Sequence, residues 1–313
     1  METDWTIPRV AAISLIDWRI VTARESKVAV SSTVVHWFES LHQRAVFAGK
    51  RSILEIGPQD ITAGPTAVGN FIAGAQPEVE DPHAIAARFI ADGVWATHRF
   101  YATVGLTDYF GIDLEDPRAT FRYDLNRPFS LGRRFDVITN FGTLEHIFSV
   151  ASVIEATHNH LADGGLALFI LPSRGGYNHG FYNIHSNFYH DLARHNRYEI
   201  VDLLAVPDIV SQQLLVDKHE KPGDLPPRLT KWYDIANNDP AIPMSPIETF
   251  LEERQVFRLA LQKVRQRGWW FKRNPEPPIF EYIFAALRKV GDAPFVMPMQ
   301  SIYAAKREGM PGA

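Results

Sequence analysis

The 313-residue sequence contains no cysteine, which excludes disulfide bonds, thiolate metal ligands and cysteine nucleophiles. It has no excess of basic residues either: 32 Lys and Arg stand against 36 Asp and Glu, so a general nucleic-acid binder is not indicated. The opening METDWTIPRV shows no basic segment followed by an apolar core, and no apolar run is long enough to cross a bilayer. We therefore expect a cytoplasmic protein with neither a nucleic-acid nor a membrane partner.

What the chain does contain is a short apolar strand followed by a tight turn, in Arg51–Ile61. The strand, SILEI, carries Glu55 near its end, and Gly57-Pro58 follows it. Ligands of α/β sheets lie beyond the carboxyl ends of the strands, and a glycine there lets a ligand approach the backbone closely. The full glycine triplet of a dinucleotide fingerprint is absent, so this stretch alone is a weak signal.

Further short apolar segments follow, and several end in polar residues. They are Tyr109–Leu114, with Asp113 near its end, then Ala119–Asp124, Phe135–Asn140, Leu161–Pro172, Tyr198–Val206 and Phe280–Leu287. A loop at Gln59–Pro82 and a helix from about His83 to Val104 separate the first two strands. Strands that alternate with helical stretches predict an α/β fold with a doubly wound, mostly parallel sheet.

The order LEIGPQD, FGID, YDLN, FDVITNFGTLEHI and LADGGLALFILP resembles the class I S-adenosylmethionine-dependent methyltransferases. The resemblance covers Arg51–Val206 and resumes near Phe280–Tyr303, and NHGFYN–FYHDLARHNRYEI is similar to a bacterial subgroup of largely unassigned substrate. It implies a Rossmann-like sheet of seven strands with an antiparallel last strand. It also implies S-adenosylmethionine as cofactor and a small-molecule or glycan-like methyl acceptor.

The resemblance assigns cofactor-binding roles to residues at the strand ends. Glu55, Gly57 and Pro58 would flank the methionine and ribose parts, Asp113 and Leu114 the ribose, Asp124 and Leu125 the adenine, and Asn140, Phe141 and Gly142 the sulfonium end. The sequence departs from the family pattern at Gln59 and Ile61, where two further glycines are usual. For Asp113, a turn-forming aspartate is the alternative interpretation.

A methyl sulfonium is already activated, so the protein has mainly to align an acceptor with the S–CH₃ bond and exclude water. A hydroxyl or amine acceptor also needs a base, and imidazole suits that role near neutral pH. The candidates are His146, just after the fourth strand, and His179 and His185, after the fifth. The alternatives are a structural role for His146 beside Glu145, and a lid over the cofactor for the other two.

No metal site is expected. Some quinone-directed methyltransferases resemble this region and use a Glu-x-x-Glu-His cluster for magnesium, but Gly142 stands here in place of the first glutamate. His158 and His160 are two residues apart on a predicted helix and face different ways.

The expected division is a helical cap at 1–50, a cofactor-binding core at 51–206 and 279–305, and an insertion at 207–278. The cap contains helical patterns at 10–22 and 27–48, which we interpret as a cover for the cleft or as a homodimer contact. The insertion contains one helical pattern, 246–267, and would form a lid or an interface. Two alternative functions stay open: a catalytically silent S-adenosylmethionine-binding or assembly module, and a nicotinamide-dependent oxidoreductase, which the glycine spacing disfavours.

Overall fold

The structure is a computed structural model that describes residues 29–92, 97–174, 179–207, 233–234, 281–301 and 303. The helices expected at 10–22 and 246–267 lie outside these residues. None of the helices in the described part of the chain is long and apolar enough to cross a membrane.

The described strands form one eight-stranded sheet in the order β3-β2-β1-β4-β5-β8-β6-β7. Their bounds are β1 Ser52–Ile56, β2 Asp108–Asp113, β3 Phe121–Arg122, β4 Phe135–Phe141, β5 Leu161–Arg174, β6 Tyr198–Pro207, β7 Tyr233–Asp234 and β8 Glu281–Lys289. Strands β1 to β5 pair in parallel, whereas β8 is antiparallel to both β5 and β6. The α/β class, the mostly parallel sheet and the antiparallel last strand are thereby confirmed. The two-residue β7, paired with β6, is an eighth strand where seven were expected.

Six α-helices occur in the described residues: α1 Ser32–Gln43, α2 Pro65–Ala75, α3 Pro82–Ala91, α4 Thr97–Ala102, α5 Val150–His160 and α6 Ser186–Asn196. The loop expected at Gln59–Pro82 was wrong, because α2 lies inside it. Val68, Phe71 and Ile72 of α2 are buried at helical spacing, and Pro65 opens the helix, a position where proline costs no hydrogen bond.

The single helix expected from His83 to Val104 was also wrong. Helix α3 ends at Ala91, where the Asp92 backbone N–H closes it on the Arg88 carbonyl, and α4 begins only at Thr97. The third strand is shorter than the expected Ala119–Asp124, because β2 and β3 pair over two residues only.

Apolar side chains cover both faces of the sheet. On one face, Trp37 and Phe38 of α1 pack against Phe141 and Phe284, with Trp37–Phe284 ring centroids 5.2 Å apart. On the other face, residues of α5 and α6 such as Tyr189 are buried against the sheet. A sheet buried on both sides presents its strand ends as its free edges, and ligands of such sheets bind there.

The ends of β5, β6 and β8 lie together at one edge. In the ladder, Glu281 at the start of β8 is paired with Arg174 at the end of β5 and with Pro207 at the end of β6. The segment between β6 and β8 therefore leaves and re-enters the sheet at the edge formed by the carboxyl ends of the parallel strands.

Candidate cofactor and acceptor site

The strand register brings the polar strand ends together. Ile56, the last residue of β1, is paired with Ile112 of β2 on one side and Asn140 of β4 on the other. Gly57 N–H continues this ladder by donating to the Ile112 carbonyl at 2.9 Å. Gly57, Asp113 and Asn140 therefore lie side by side at one edge of the sheet, as the sequence predicted for neighbouring parallel strands.

The outer end of this row is completed by the segment after β3. Tyr123 N–H donates to the Asp113 carbonyl at 3.0 Å, which places Asp124 one residue beyond that contact. On the opposite side, Gly142 N–H donates to the Ile170 carbonyl at 2.9 Å and extends β4 towards β5. The four predicted strand-end positions thus follow one another across β3, β2, β1 and β4.

Gly57 lies in the left-handed region, with φ +74°, and its Cα faces the side chain of Thr143. A Cβ at this position would collide with Thr143 Oγ1, which itself donates to the Ile56 carbonyl at 3.0 Å. The glycine is therefore required by its backbone conformation and by this close approach.

The turn after β1 is held by an arginine from the loop after β2. The Arg118 guanidinium donates to the Pro58 and Gln59 carbonyls at 3.0 and 2.8 Å and pairs with Asp60 at 2.8 Å. The hydrogen bonds that Arg118 donates to the Asp116 carboxylate raise the pKa of Arg118 further, so the guanidinium is permanently charged. This contact fixes the turn in a sequence that lacks the second and third glycines.

Glu55 lies within the core rather than at the open edge, with 1% of its surface exposed. Its two carboxylate oxygens accept hydrogen bonds from Tyr101 Oη at 2.6 Å and Tyr109 Oη at 2.5 Å. Burial raises the pKa of Glu55 to about 7, against the opposing effect of the two tyrosine hydrogen bonds. Its predicted position beside the methionine and ribose parts of the cofactor remains a prediction.

Asp113 has one carboxylate oxygen bound by its own turn. Oδ1 accepts from the Glu115 and Asp116 backbone N–H groups at 2.9 and 3.0 Å, and the following Leu114 is 57% exposed. The aspartate is therefore turn-forming, the alternative weighed above, and the second oxygen, Oδ2, carries no protein hydrogen bond among those of the described residues. Both interpretations are compatible in this geometry.

Asp124 also closes a turn, because its Oδ1 accepts from the Asn126 backbone N–H at 3.0 Å. This hydrogen bond lowers the pKa of Asp124 and keeps it ionised. Leu125 is 4% exposed and its side chain packs into the core. Only its backbone is therefore available to contact an adenine ring.

Asn140 is buried, whereas Asp113 and Asp124 at the neighbouring strand ends are partly exposed. It is 1% exposed, and its Oδ1 accepts from the Leu144 N–H at 3.0 Å. Its buried Nδ2 has no hydrogen-bond partner among the described residues. A buried amide without a partner is costly, and it fits a ligand that brings an acceptor oxygen to the end of β4. Phe141 beside it is buried against Trp37, and Gly142 has φ +73°.

The acceptor side contains a cluster that the sequence analysis did not assemble. In the described chain, ligand-type atoms of Glu145, His146 and His179 all lie within 4.8 Å of one another. Glu145 Oε1 is 3.4 Å from His179 Nε2 and 3.9 Å from His146 Nε2. Glu145 is fully buried, although the sequence analysis gave it only a role at a helix start. The only sequence signal for it was the Glu-His dipeptide.

His185 is separate from this cluster. It is the exposed N-cap residue of α6, and its side chain makes no capping hydrogen bond. The structure thus brings two of the three candidate bases together around Glu145 and leaves the third at the start of the next helix.

The loop after β5 is fastened onto the segment after β4. Phe181 N–H donates to the Glu145 carbonyl at 2.7 Å, and a Cβ at Gly180 would lie 2.8 Å from the same oxygen. Tyr182 Oη donates to the Phe148 carbonyl at 3.0 Å. We call Phe148, Phe181 and Tyr182 the aromatic rim; their rings contact one another, and Phe148 and Phe181 are 70% and 65% exposed.

A doubly wound sheet with an acid at the end of β2, a positive-φ glycine after β1 and a buried amide near the end of β4 is typical of Rossmann-like domains. Residues 90–205 match a protein family described as methyltransferase domain, and this range contains Asp113, Asn140, Glu145 and His179. The match covers 116 of the 313 residues, so it shows that this part of the chain is similar to methyltransferase domains.

No curated protein sequence matches the chain at a significant level. Among solved structures it is similar to a sugar N-methyltransferase from Streptoalloteichus, with 16% identity, 54% of this chain and 58% of that chain covered, and a TM-score of 0.28. It is also similar to Streptomyces venezuelae DesVI, with 14% identity, 49% of this chain and 54% of that chain covered, and a TM-score of 0.28. A third similar structure is the Burkholderia thailandensis 1,6-didemethyltoxoflavin-N1-methyltransferase. Its identity is 13%, 88% of this chain and 83% of that chain are covered, and the TM-score is 0.39. The chain spans a little over half the length of the first two.

Proposed function

We propose that this protein transfers the methyl group of S-adenosylmethionine to a small-molecule or glycan-like acceptor. The observation that carries the proposal is the row of Gly57, Asp113 and Asn140 at one sheet edge, ending in an amide whose buried Nδ2 has no partner among the described residues. The sulfonium supplies an activated methyl group, so the work left to the chain is binding, alignment and proton removal.

On the cofactor side, Asp113 Oδ2 would accept from the ribose hydroxyls while Oδ1 keeps the turn closed. Thr143 covers the Cα of Gly57, so the cofactor would meet the backbone of this turn beside Thr143, and Asn140 Nδ2 would donate to the amino-acid part of the cofactor. Asp124 and the Leu125 backbone would face the adenine, and Leu114 would cover the ribose.

On the acceptor side, the imidazoles of His146, His179 and His185 are the groups able to take a proton from a hydroxyl or an amine. The exposed rings of the aromatic rim border the cluster and suit the apolar face of a sugar or an aromatic acceptor.

Calorimetry of two variants, each with one substitution in β2, tests the cofactor site. Asp113 and Asp108 stand at the two ends of β2, so Asp113→Asn probes the proposed edge and Asp108→Asn is its matched control at the opposite edge. Asn keeps Oδ1 for the turn and removes the second carboxylate oxygen. We expect S-adenosylmethionine to bind wild type and Asp108→Asn alike, and Asp113→Asn with about 1–3 kcal/mol less free energy, the cost of unpaired polar groups.

Two outcomes would overturn this assignment. Equal affinity of wild type and Asp113→Asn would show that the ribose lies elsewhere, and binding of NAD in place of S-adenosylmethionine would favour the oxidoreductase alternative. The silent-module alternative is favoured by the Thr143 side chain lying against Gly57, where a ligand would approach. Tight cofactor binding with no turnover on sugar, amine and aromatic hydroxyl acceptors would support it.

The wider organisation follows as part of the proposal. The parts at 51–206 and 279–305 would form the cofactor core, 1–50 a helical cap, and 207–278 a lid or interface. A cytoplasmic location and a homodimer remain predictions, which cell fractionation and sedimentation respectively test.

A further inference from the structure

We propose that Glu145, His146 and His179 form a binding site for a divalent transition-metal ion at the acceptor side of the sheet edge. The site goes beyond the methyl transfer proposed above and rests on it only for its consequence, since metal binding is measured without the cofactor.

The first argument is the environment of Glu145. Its side chain is fully buried, yet neither carboxylate oxygen accepts a hydrogen bond from a described residue. Buried carboxylates are almost always hydrogen-bonded, paired with a cation or bound to a metal, because removing the charge from water costs several kcal/mol. Two imidazole nitrogens, which are of a type that binds metals, lie 3.4 and 3.9 Å from Oε1.

The second argument is the geometry. Glu145 Oε1 lies 3.4 Å from His179 Nε2 and 3.9 Å from His146 Nε2, and the two imidazole rings are inclined by 70° with centroids 4.8 Å apart. An ion bound at about 2.0–2.2 Å from each of three ligands separates those ligands by roughly 3.5 Å. The side chains thus need only small rotations to meet one ion.

The third argument is how the site is held. Glu145 and His146 lie next to each other in the 3-10 turn Leu144–His146, and His179 comes from the loop after β5. The Phe181 N–H to Glu145 carbonyl hydrogen bond and the absence of a Cβ at Gly180 bring that loop against the turn. Ligands from two loops that the backbone fastens together are typical of a built site rather than of a chance surface pair.

The donor set decides the class of ion. Two imidazoles and one carboxylate suit zinc, iron(II), manganese and cobalt, whereas magnesium and calcium prefer oxygen ligands throughout. His146 has 43% of its side chain exposed, so the ion would keep coordination positions open for water or acceptor. This differs from the magnesium cluster excluded in the sequence analysis, because the third ligand comes from a distant segment and not from position 142.

The consequence concerns the acceptor. An ion here would bind an acceptor oxygen and lower its pKa, so that a hydroxyl loses its proton without a strong base. His146 and His179 would then act as ligands, and His185 would be the remaining candidate base.

The test uses the full chain, stripped with a chelator and titrated with zinc(II) by calorimetry, and with cobalt(II) by visible absorption. We expect wild type to bind one ion per chain and to bind magnesium much more weakly. The visible absorption of the cobalt(II) form should be that of an ion with fewer than six ligands. His179→Ala and Glu145→Gln should each weaken zinc binding at least 100-fold. His36→Ala is the matched control, since His36 Nδ1 lies 3.5 Å from Glu39 Oε2 in a partly buried pair that has no third ligand among the described residues, and it should bind zinc like wild type.

Stoichiometry below one in wild type, or unchanged affinity in both His179→Ala and Glu145→Gln, would overturn the site. Circular dichroism of each variant establishes that it is folded, and a fallback His179→Gln removes the imidazole with little change in volume. Cofactor binding measured in chelator is independent of these results, so the metal site can fail while the methyltransferase proposal stands, and the reverse.

Discussion

Glu55→Gln is the substitution whose effect on stability the structure specifies best. The carboxylate lies between the Tyr101 and Tyr109 hydroxyls with 1% of its surface exposed, and burial raises its pKa from 4.5 to about 7. Because the folded state holds this proton more tightly than the unfolded state, the stabilisation is complete below about pH 4.5. It is lost as the pH rises through about 7.

The size follows from the shift. Each pKa unit corresponds to about 1.4 kcal/mol, so ionisation of Glu55 costs the fold about 3.5 kcal/mol once the pH is well above 7, and about 2.5 kcal/mol of this falls between pH 5 and pH 8.5. Glutamine has nearly the same shape and does not titrate, and the tyrosine hydroxyls can rotate to donate to its oxygen or accept from its nitrogen.

Urea denaturation of wild type and Glu55→Gln at pH 5, 7 and 8.5 measures the effect. The difference in unfolding free energy, variant minus wild type, should rise by about 2.5 kcal/mol over this range, since all other groups cancel. The control is Glu199→Gln, a largely exposed carboxylate paired with Arg288, for which we expect a flat difference. A flat difference for Glu55→Gln as well would show that this carboxylate is not buried in the folded protein.

Three further substitutions test the loops around the site. Gly57→Ala should lower the unfolding free energy by about 2 kcal/mol through its left-handed backbone and its clash with Thr143, and adding Thr143→Ala should recover part of the loss in urea denaturation; no recovery would place the cost in the backbone alone. Gly180→Ala should push the loop off the Glu145 carbonyl and lower turnover at least tenfold, with S-adenosylmethionine affinity within about twofold by calorimetry; equal losses would contradict an acceptor-side role. Arg118→Lys should weaken cofactor binding about tenfold, because lysine cannot bond two carbonyls and a carboxylate at once; an unchanged affinity would show that the turn holds its shape unaided.

The sheet was the part that the sequence determined most clearly. Strand β1 runs from Ser52 to Ile56 as expected, since a five-residue apolar run that ends at Gly57-Pro58 is too short for a typical helix. Helix α2 was missed because Gly69 and Gly74 interrupt its apolar pattern and resemble loop residues. Gly69 packs closely against His83 of α3, a contact between helices that a linear pattern does not show.

The site was predictable along strands but not across loops. The strand-end residues could be found because parallel register is local and repetitive. The position of Glu55 could not, because its tyrosine partners come from α4 and β2 and both had to be in place to bury it. Likewise, His179 meets Glu145 only because the loop after β5 docks through Gly180, which depends on tertiary contacts.

The pairing of Pro207 with Glu281 has a consequence for how this protein can change. When two residues are held as neighbours in a β-ladder, the entropic cost of closing the loop between them grows only slowly with the length of that loop. Loop closure therefore sets little limit on the length of segment 208–280, from which the sheet takes only the two-residue β7 among the described residues.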